Sequence, residues 1–206
     1  MNAILVILPL IIILSLRLYA NLSSKDNHDE IMKEFWAREQ EARFARNADI
    51  SGLSLYTPDI EGLPFAQSSN DKTRTQLEAK VLSSSKEPML DLHEFTNTDL
   101  KIKYGNGNFP TISSYDQNFM YFTRDVFRWG KYLYENNYTD DARCVLEYLI
   151  SISQNNVSAF TILAKIYCAD DEPDKVANLI KIVESTEDSI IKQTTLRSLR
   201  DIINSY

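Results

Sequence analysis

The stretch RWGKYLYENNYTDDARCVLEYLI runs from Arg128 to Ile150 and decides the fold. Apolar residues recur in it at three- and four-residue spacing on both sides of Asn136-Asn137, and it contains no proline. Such spacing is typical of amphipathic helices, and the paired asparagines indicate a short connection between them. The stretch therefore predicts two antiparallel helices joined by a tight turn.

The same pattern continues toward the C-terminus, where Gln154-Asn155 and Asp170-Asp171 mark two further connections. The whole chain has only five glycines and six prolines, which disfavours a turn-rich β fold. We therefore predict an all-α fold. From residue 114 on, the helices are expected at about 114–136, 139–153, 157–169, 173–184 and 187–204.

Comparison of the chain with itself at an offset of 34 residues pairs residues of similar size. The pairs are Trp129-Gly130 with Leu163-Ala164, Leu133 with Tyr167, Ala142 with Val176, and Leu146 with Ile180. Small residues at Gly130 and Ala164 are expected to let the paired helices approach closely. Large residues at Leu146 and Ile180 are expected to fill the next layer of the core.

This pattern resembles the tetratricopeptide repeat (TPR), over about residues 114–184, with 187–204 as a capping helix. The chain departs from the repeat at Val176, where the family has alanine, and at Gln154-Asn155, where it has proline. A generic helical bundle is the alternative. Two units are fewer than the three that usually form a stable array, so other segments are expected to complete the core.

One such segment lies at residues 47–70, where Gly52, Pro58, Gly62 and Pro64 interrupt the helical pattern. It carries more large apolar residues than a free linker would, and we predict that these dock into grooves of the helical body. They are Leu53, Leu55, Leu63 and Phe65.

Two short helices are predicted between this segment and the repeat. The first covers about 71–82, with Ser69 or Asn70 as its cap, and the second covers 97–104 and ends at Gly105. Residues 106–110 are predicted to form a loop. Ser113 or Ser114 is then expected to cap the next helix.

The N-terminus is apolar from residue 3 to residue 16 and is followed by Arg17. About 20 residues are needed to span a bilayer, so residues 1–20 are predicted to form a transmembrane anchor that contacts the membrane through residues 3–20. A cleaved signal peptide is the rival interpretation, but it would need a positive charge before the apolar run. The charges of Arg17, Lys25 and Lys33 place the C-terminal body in the cytoplasm, and an extracytoplasmic body is the alternative.

Residues 26–46 follow with apolar residues at helical spacing, acidic residues at their start and arginines at their end, which suits the helix dipole. They predict a long juxtamembrane helix. The predicted organisation is an anchor at 1–20, the juxtamembrane helix within 21–47, an extended docking segment with short helices at 48–112, and TPR-like hairpins at 113–206.

A second resemblance lies in the upstream part of the chain. It rests on residues 35–39, 43–46 and 49–53 together with Leu63-Pro64-Phe65. This region looks like a group of short membrane-anchored proteins of anaerobic Gram-positive bacteria that end in degenerate TPR-like helices. The resemblance implies an architecture and a type of host, and it implies no activity.

Charge and motifs exclude several classes of function. A net charge of −7 disfavours nucleic acid as a partner. The sequence has no P-loop, dinucleotide-binding glycines, nucleophile elbow or zinc-protease motif, so no catalytic, cofactor-binding or metal-binding residue is predicted. Cys144 and Cys168 lie in apolar helical patterns and are interpreted as small core residues, with a disulfide as the alternative.

Aromatic residues crowd the helix predicted at 114–136, and one helix cannot bury all of them. Aromatic side chains left on a repeat surface are natural anchors for a protein or peptide partner. The candidate partner-binding residues are Tyr115, Phe119, Phe122, Tyr132 and Tyr134. The sequence thus predicts a membrane-tethered interaction module without catalytic activity; the alternative is an enzyme or ligand-binding protein with a site around Asp91, His93 and Arg124.

Overall fold

The computed structural model describes residues 29–66, 70–186 and 188–205. Within these ranges the chain forms eight helices and no strand, which confirms the predicted all-α class. The first helix, α1, includes residues 29–44. The others are α2 (Lys72–Ser84), α3 (Asn97–Tyr104), α4 (Phe109–Glu135), α5 (Thr139–Ile152), α6 (Val157–Ala169), α7 (Pro173–Ser185) and α8 (Ser189–Ile203).

The predicted fold class needs one correction, which concerns the membrane. In the part of the chain that the structure describes, no helix combines the length and the apolar character needed to cross a bilayer. Residues 1–20, on which the transmembrane prediction rests, lie outside the described residues. Within the described residues the fold is therefore all-α, and the transmembrane part of the prediction is not borne out there.

The chain divides into two compact units. The small unit comprises residues 29–53 and 92–112 among those described, and the large unit comprises 54–66, 70–91, 113–186 and 188–205. The small unit contains α1 and α3, and the large unit contains α2, most of α4 and all of α5 to α8.

The loop Gly105–Asn108 fastens α1 to α3 in the small unit. The Asn106 side-chain amide donates to the carbonyls of Ala42 and Arg43, at 2.8 and 3.0 Å, and so caps the end of α1. Gly105 ends α3, as predicted. Its φ is +85°, a conformation that glycine adopts readily. A side chain there would lie 2.5 Å from the Cα of Asn47, so the close approach of this backbone requires glycine.

Two predicted helix starts differ from those observed. α2 begins after Asp71, whose carboxylate accepts hydrogen bonds from the amides of Thr73 and Arg74. α4 begins at Phe109, so Ser113 and Ser114 lie inside the helix and do not cap it. Pro110 does not break the helix, because backbone N–H groups in the first helical turn have no hydrogen-bond acceptor within the helix and proline lacks only that N–H.

The core of the large unit is built on one face of α4, where buried residues recur at three- and four-residue spacing. This face comprises Phe119, Phe122, Val126, Trp129 and Leu133. The segment before α2 docks onto it, with Leu63 buried and the Phe65 ring stacked on Trp129 at a centroid distance of 4.7 Å. Docking is confirmed for those two residues, whereas the prediction is wrong for Leu55, which is exposed.

The residues paired at an offset of 34 lie in or against this core. Gly130 and Ala164 are both buried, as are Trp129 and Leu163. Leu146 is fully buried, while its counterpart Ile180 is half-buried. These positions are compatible with a helical repeat fold.

Helices α5 and α7 are linked at two places. In the second half of α5, Glu147 accepts a hydrogen bond from Tyr167 of α6, and near the start of α7, the Lys175 ammonium lies over the ring of the same tyrosine. Near their ends, the Thr186 hydroxyl after α7 donates to the side chain of Gln154 after α5, at 3.2 Å. Helix α6 packs against both and also against α8.

Candidate functional site

The outward face of α4 is the main candidate surface of the large unit. From residue 117 on, its exposed residues recur at spacings of one, three and four and so form one stripe along the helix. We call this stripe the α4 outer face; it comprises Gln117, Met120, Tyr121, Arg124, Arg128, Lys131 and Glu135.

The α4 outer face joins two apolar side chains to three basic ones. Met120 and Tyr121 keep 60% and 48% of their surface exposed. The Arg124 guanidinium lies over the Tyr121 ring, 4.7 Å from its centroid, so the charge and the ring form one platform. Large apolar side chains left in water on a rigid helix are typical of a contact surface for another protein.

The charge of this face is opposite to that of the whole chain, which carries a net −7. Lys131 has Glu135 at 3.6 Å and Arg124 has Asp125 at 3.4 Å. Arg128 has no ion-pair partner among the described residues. The face therefore presents a local positive potential that favours an acidic partner.

The residues predicted to bind a partner differ from the exposed residues of α4. Phe119 and Phe122 are only 5% and 0% exposed, so neither presents its side chain on the surface of the large unit. They point into the core because they share a face with Trp129. The outward positions are the two residues between them, Met120 and Tyr121.

The three predicted tyrosines are half-buried. The Tyr132 hydroxyl donates to the Asp71 carboxylate at 2.8 Å, which raises the pKa of Tyr132 and occupies its polar end. Tyr134 packs against the core, and Tyr115 accepts the amide of Leu90 through its backbone carbonyl. A role of these tyrosines in partner binding stays a prediction.

A buried charged cluster, which the sequence analysis missed, holds the docked segment in place. Arg74 of α2 bonds the Glu78 carboxylate, the Asp141 carboxylate and the Pro64 carbonyl, each at 2.8 Å. Glu78 in turn accepts the amide of Ala66 at 3.3 Å. All of these groups satisfy one another, so the cluster serves the fold and offers no open site.

A groove lies between α5 and α7, with a volume of about 380 Å³. We call it the α5–α7 groove. Residues at helical spacing form the two walls, and Tyr167 of α6 closes one end. One wall is Glu147, Ile150 and Ser151 on α5 with Gln154 two residues after its end, and the other is Lys175, Asn178, Leu179 and Ile182 on α7.

Polar and apolar groups are separated along the α5–α7 groove. At the closed end the Tyr167 hydroxyl donates to Glu147 at 2.6 Å, and burial together with this bond raises the pKa of Tyr167. The Lys175 ammonium lies over the Tyr167 ring and 3.1 Å from Glu172. Ile150 and Leu179 are buried and form the floor.

The small unit has a larger depression of about 530 Å³ along α1 and α3, lined in part by Trp36, Glu39 and Asn106. Two of its polar groups are already engaged, because Glu39 accepts from Thr98 and Asn106 caps α1. This depression therefore has less to offer a ligand than the α5–α7 groove.

The structure places the three residues suggested for an enzyme site on the surface. Asp91 and His93 are exposed, and Arg124 belongs to the α4 outer face. Among the described residues, no three His, Cys, Asp or Glu side chains are grouped so that they could hold a metal ion. The acidic run after α6 is engaged in ion pairs, because Asp170 and Glu172 both bind Arg143.

Both cysteines are free thiols that pack against the core from half-buried positions. Burial raises the pKa of the Cys144 thiol, and its sulfur lies 3.8 Å from the carbonyl of Gly62. The interpretation as small apolar residues therefore fits better than a disulfide.

No protein-family model, curated protein or solved structure matches this chain. The case for its function therefore rests on the surfaces of the two units.

Proposed function

We propose that this chain is a protein-binding module, and that its large unit is a degenerate TPR-like repeat that presents the α4 outer face to a partner. The observation that carries the proposal is the exposed, basic and apolar stripe on a helix whose opposite face is the core of the unit. Such a helix can hold its outward side chains at fixed positions before a partner arrives, which reduces the entropy lost on binding.

The repeat assignment is supported by the residues paired at an offset of 34, which lie in or against the core of the large unit. Equivalent positions of stacked repeats are expected to fill equivalent places in a continuous core. The repeat explains why a small residue recurs at Gly130 and Ala164.

The chemistry of the face specifies the partner. Met120 and Tyr121 would be covered by an apolar side chain, and Arg124, Arg128 and Lys131 would pair with acidic side chains. Aromatic and arginine side chains contribute most to binding free energy in protein interfaces, and Tyr121 and Arg124 supply both in direct contact. The partner is accordingly a protein segment that combines acidic and apolar residues.

A photocrosslinking amino acid at position 121 tests this proposal in the native host. We expect a discrete protein adduct that is lost when Arg128→Glu reverses the charge of the face. The matched control carries the same crosslinker at position 184, an exposed position on α7. If position 121 gives no adduct, or the same adducts as position 184, the α4 outer face is not a contact surface.

A further inference from the structure

We propose that the α5–α7 groove is a second binding site, and that it takes an extended peptide segment of about three residues whose basic side chain lies at the Tyr167 end. This inference is independent of the α4 outer face, since the groove is formed by α5, α6 and α7. Three features of the groove specify this occupant: its charge, its length and the order of its polar and apolar groups.

The negative charge that would attract a basic side chain comes from Glu147. The other charged groups at the closed end pair with one another, because Lys175 binds Glu172 and Arg143 binds Asp170 and Glu172. Glu147 has no base within ion-pair distance among the described residues, and its Oε1 atom is held by the Tyr167 hydroxyl. A positioned, half-buried carboxylate of this kind is suited to a charge-assisted bond with an arginine or lysine side chain.

The length follows from helix geometry. The α7 wall extends from Lys175 to Ile182, seven residues at a rise of 1.5 Å, or about 10 Å. An extended peptide advances about 3.3 Å per residue, so about three residues fit along the wall. The volume of about 380 Å³ lies in the lower part of the range of known ligand pockets.

Beyond Glu147, the order of polar and apolar groups along the groove also matches the proposed peptide. The floor of Ile150, Leu179 and Ile182 suits an apolar side chain next to the basic one. The exposed amide of Asn178 on the rim can bond a peptide main chain, and the Ser151 hydroxyl, which donates to the Tyr148 carbonyl, can accept from a main-chain amide. A peptide of the type basic-apolar-apolar therefore satisfies each wall of the groove.

The test uses the full chain and two capped tripeptides, acetyl-Arg-Leu-Val-amide and acetyl-Glu-Leu-Val-amide, with backbone amide NMR shifts as the readout. We expect saturable shifts of the amides around Ser151 and Asn178 with the arginine peptide. The glutamate peptide is expected to bind at least about tenfold more weakly, since a tenfold change in affinity corresponds to the loss of one good charged contact.

Glu147→Gln is expected to remove the preference for arginine, while the matched Glu184→Gln, on the exposed side of α7, leaves it unchanged. Unchanged helical circular dichroism shows that Glu147→Gln still folds. Arg128→Glu on α4 should not alter peptide binding, which keeps this test separate from that of the α4 outer face.

Three results would overturn the assignment. They are shifts that do not map to the α5–α7 groove, equal binding of the two peptides, or equal binding of spermidine, which would show that the groove reads positive charge without a peptide. Loss of arginine preference in Glu184→Gln would equally assign the charge effect to the helix surface as a whole.

Discussion

Gly130 of α4 faces Leu146 of α5 so closely that a Cβ atom placed on Gly130 would lie 2.7 Å from Leu146 Cδ2 and 2.9 Å from its Cγ. Leu146 is fully buried, so any shift it makes has to be taken up inside the core. The glycine is therefore required by the distance between two helices, and this distance is what the repeat pattern in the sequence predicted.

Gly130→Ala is expected to lower the free energy of unfolding by about 1–2 kcal/mol. Overpacking a close helix contact costs about 1–3 kcal/mol, and the better helix propensity of alanine returns up to about 1 kcal/mol. Chemical denaturation measures the difference. Gly62→Ala is the control, because nothing lies within 4 Å of a Cβ at Gly62, and it should be nearly neutral. Leu146→Val should reduce the cost of Gly130→Ala; equal costs in both backgrounds would contradict the contact.

Phe65→Ala tests the docked segment. The Phe65 ring stacks on Trp129, whose side chain is fully buried, so its removal uncovers the core of the large unit. We expect a loss of about 2–3 kcal/mol in the free energy of unfolding, less than for a fully buried phenylalanine. Leu55→Ala, at an exposed position of the same segment, should change it by less than about 0.5 kcal/mol. Equal effects would mean that the segment does not dock as described.

The connections between helices could be predicted from the sequence because their signals are local. Asn137 and Asp171 have φ angles of +64° and +55°, a conformation that asparagine and aspartate tolerate better than most residues. The predicted limits of α6, 157–169, agree with Val157–Ala169 for this reason. The observed start of α4 differs because residues 106–110, which end at Pro110, are predicted to form a loop, although a first-turn proline leaves a helix intact.

The candidate site could not be predicted at the level of single residues. Helical spacing gives two faces of α4, but only the packing of the docked segment and α5 shows that the face of Phe119 and Phe122 is covered. The walls of the α5–α7 groove also depend on which helices become neighbours. Arg74 and Glu78 look like an ordinary exposed pair at i,i+4, and their burial becomes visible only in the fold.

Arg74→Met tests the buried ion pair between Arg74 and Glu78. The side chains of Arg74 and Glu78 are about nine-tenths buried or more, and loss of the arginine leaves Glu78 and Asp141 without their cation. Breaking a buried pair from one side costs about 3 kcal/mol or more of unfolding free energy. Lys131→Met breaks a pair at the same i,i+4 spacing with Glu135, but on the exposed face, and should cost less than about 0.5 kcal/mol. Similar costs measured by urea denaturation would refute the role of the buried cluster.

Asp71 makes the stability of the large unit sensitive to acid. The pKa of its carboxyl is lowered, first by the hydrogen bond from the Arg74 amide and next by that from the Tyr132 hydroxyl. The unfolded chain therefore binds the proton more tightly than the folded one. The stabilisation is fully present above the unfolded pKa of about 3.9 and is lost as the pH falls through the lower, folded value.

Asp71→Asn should lower the melting temperature at pH 7, because the charge is lost although asparagine still caps the helix. The difference from the wild type should shrink as the pH is lowered below about 4, since protonation removes the same charge from the wild type. The measurement is the melting temperature at several pH values. Glu184→Gln, which removes an exposed carboxylate from α7, is the control that separates this effect from the general loss of negative charge. A difference between Asp71→Asn and the wild type that stays constant down to pH 3 would show that the carboxylate contributes through its shape as a cap and not through its charge.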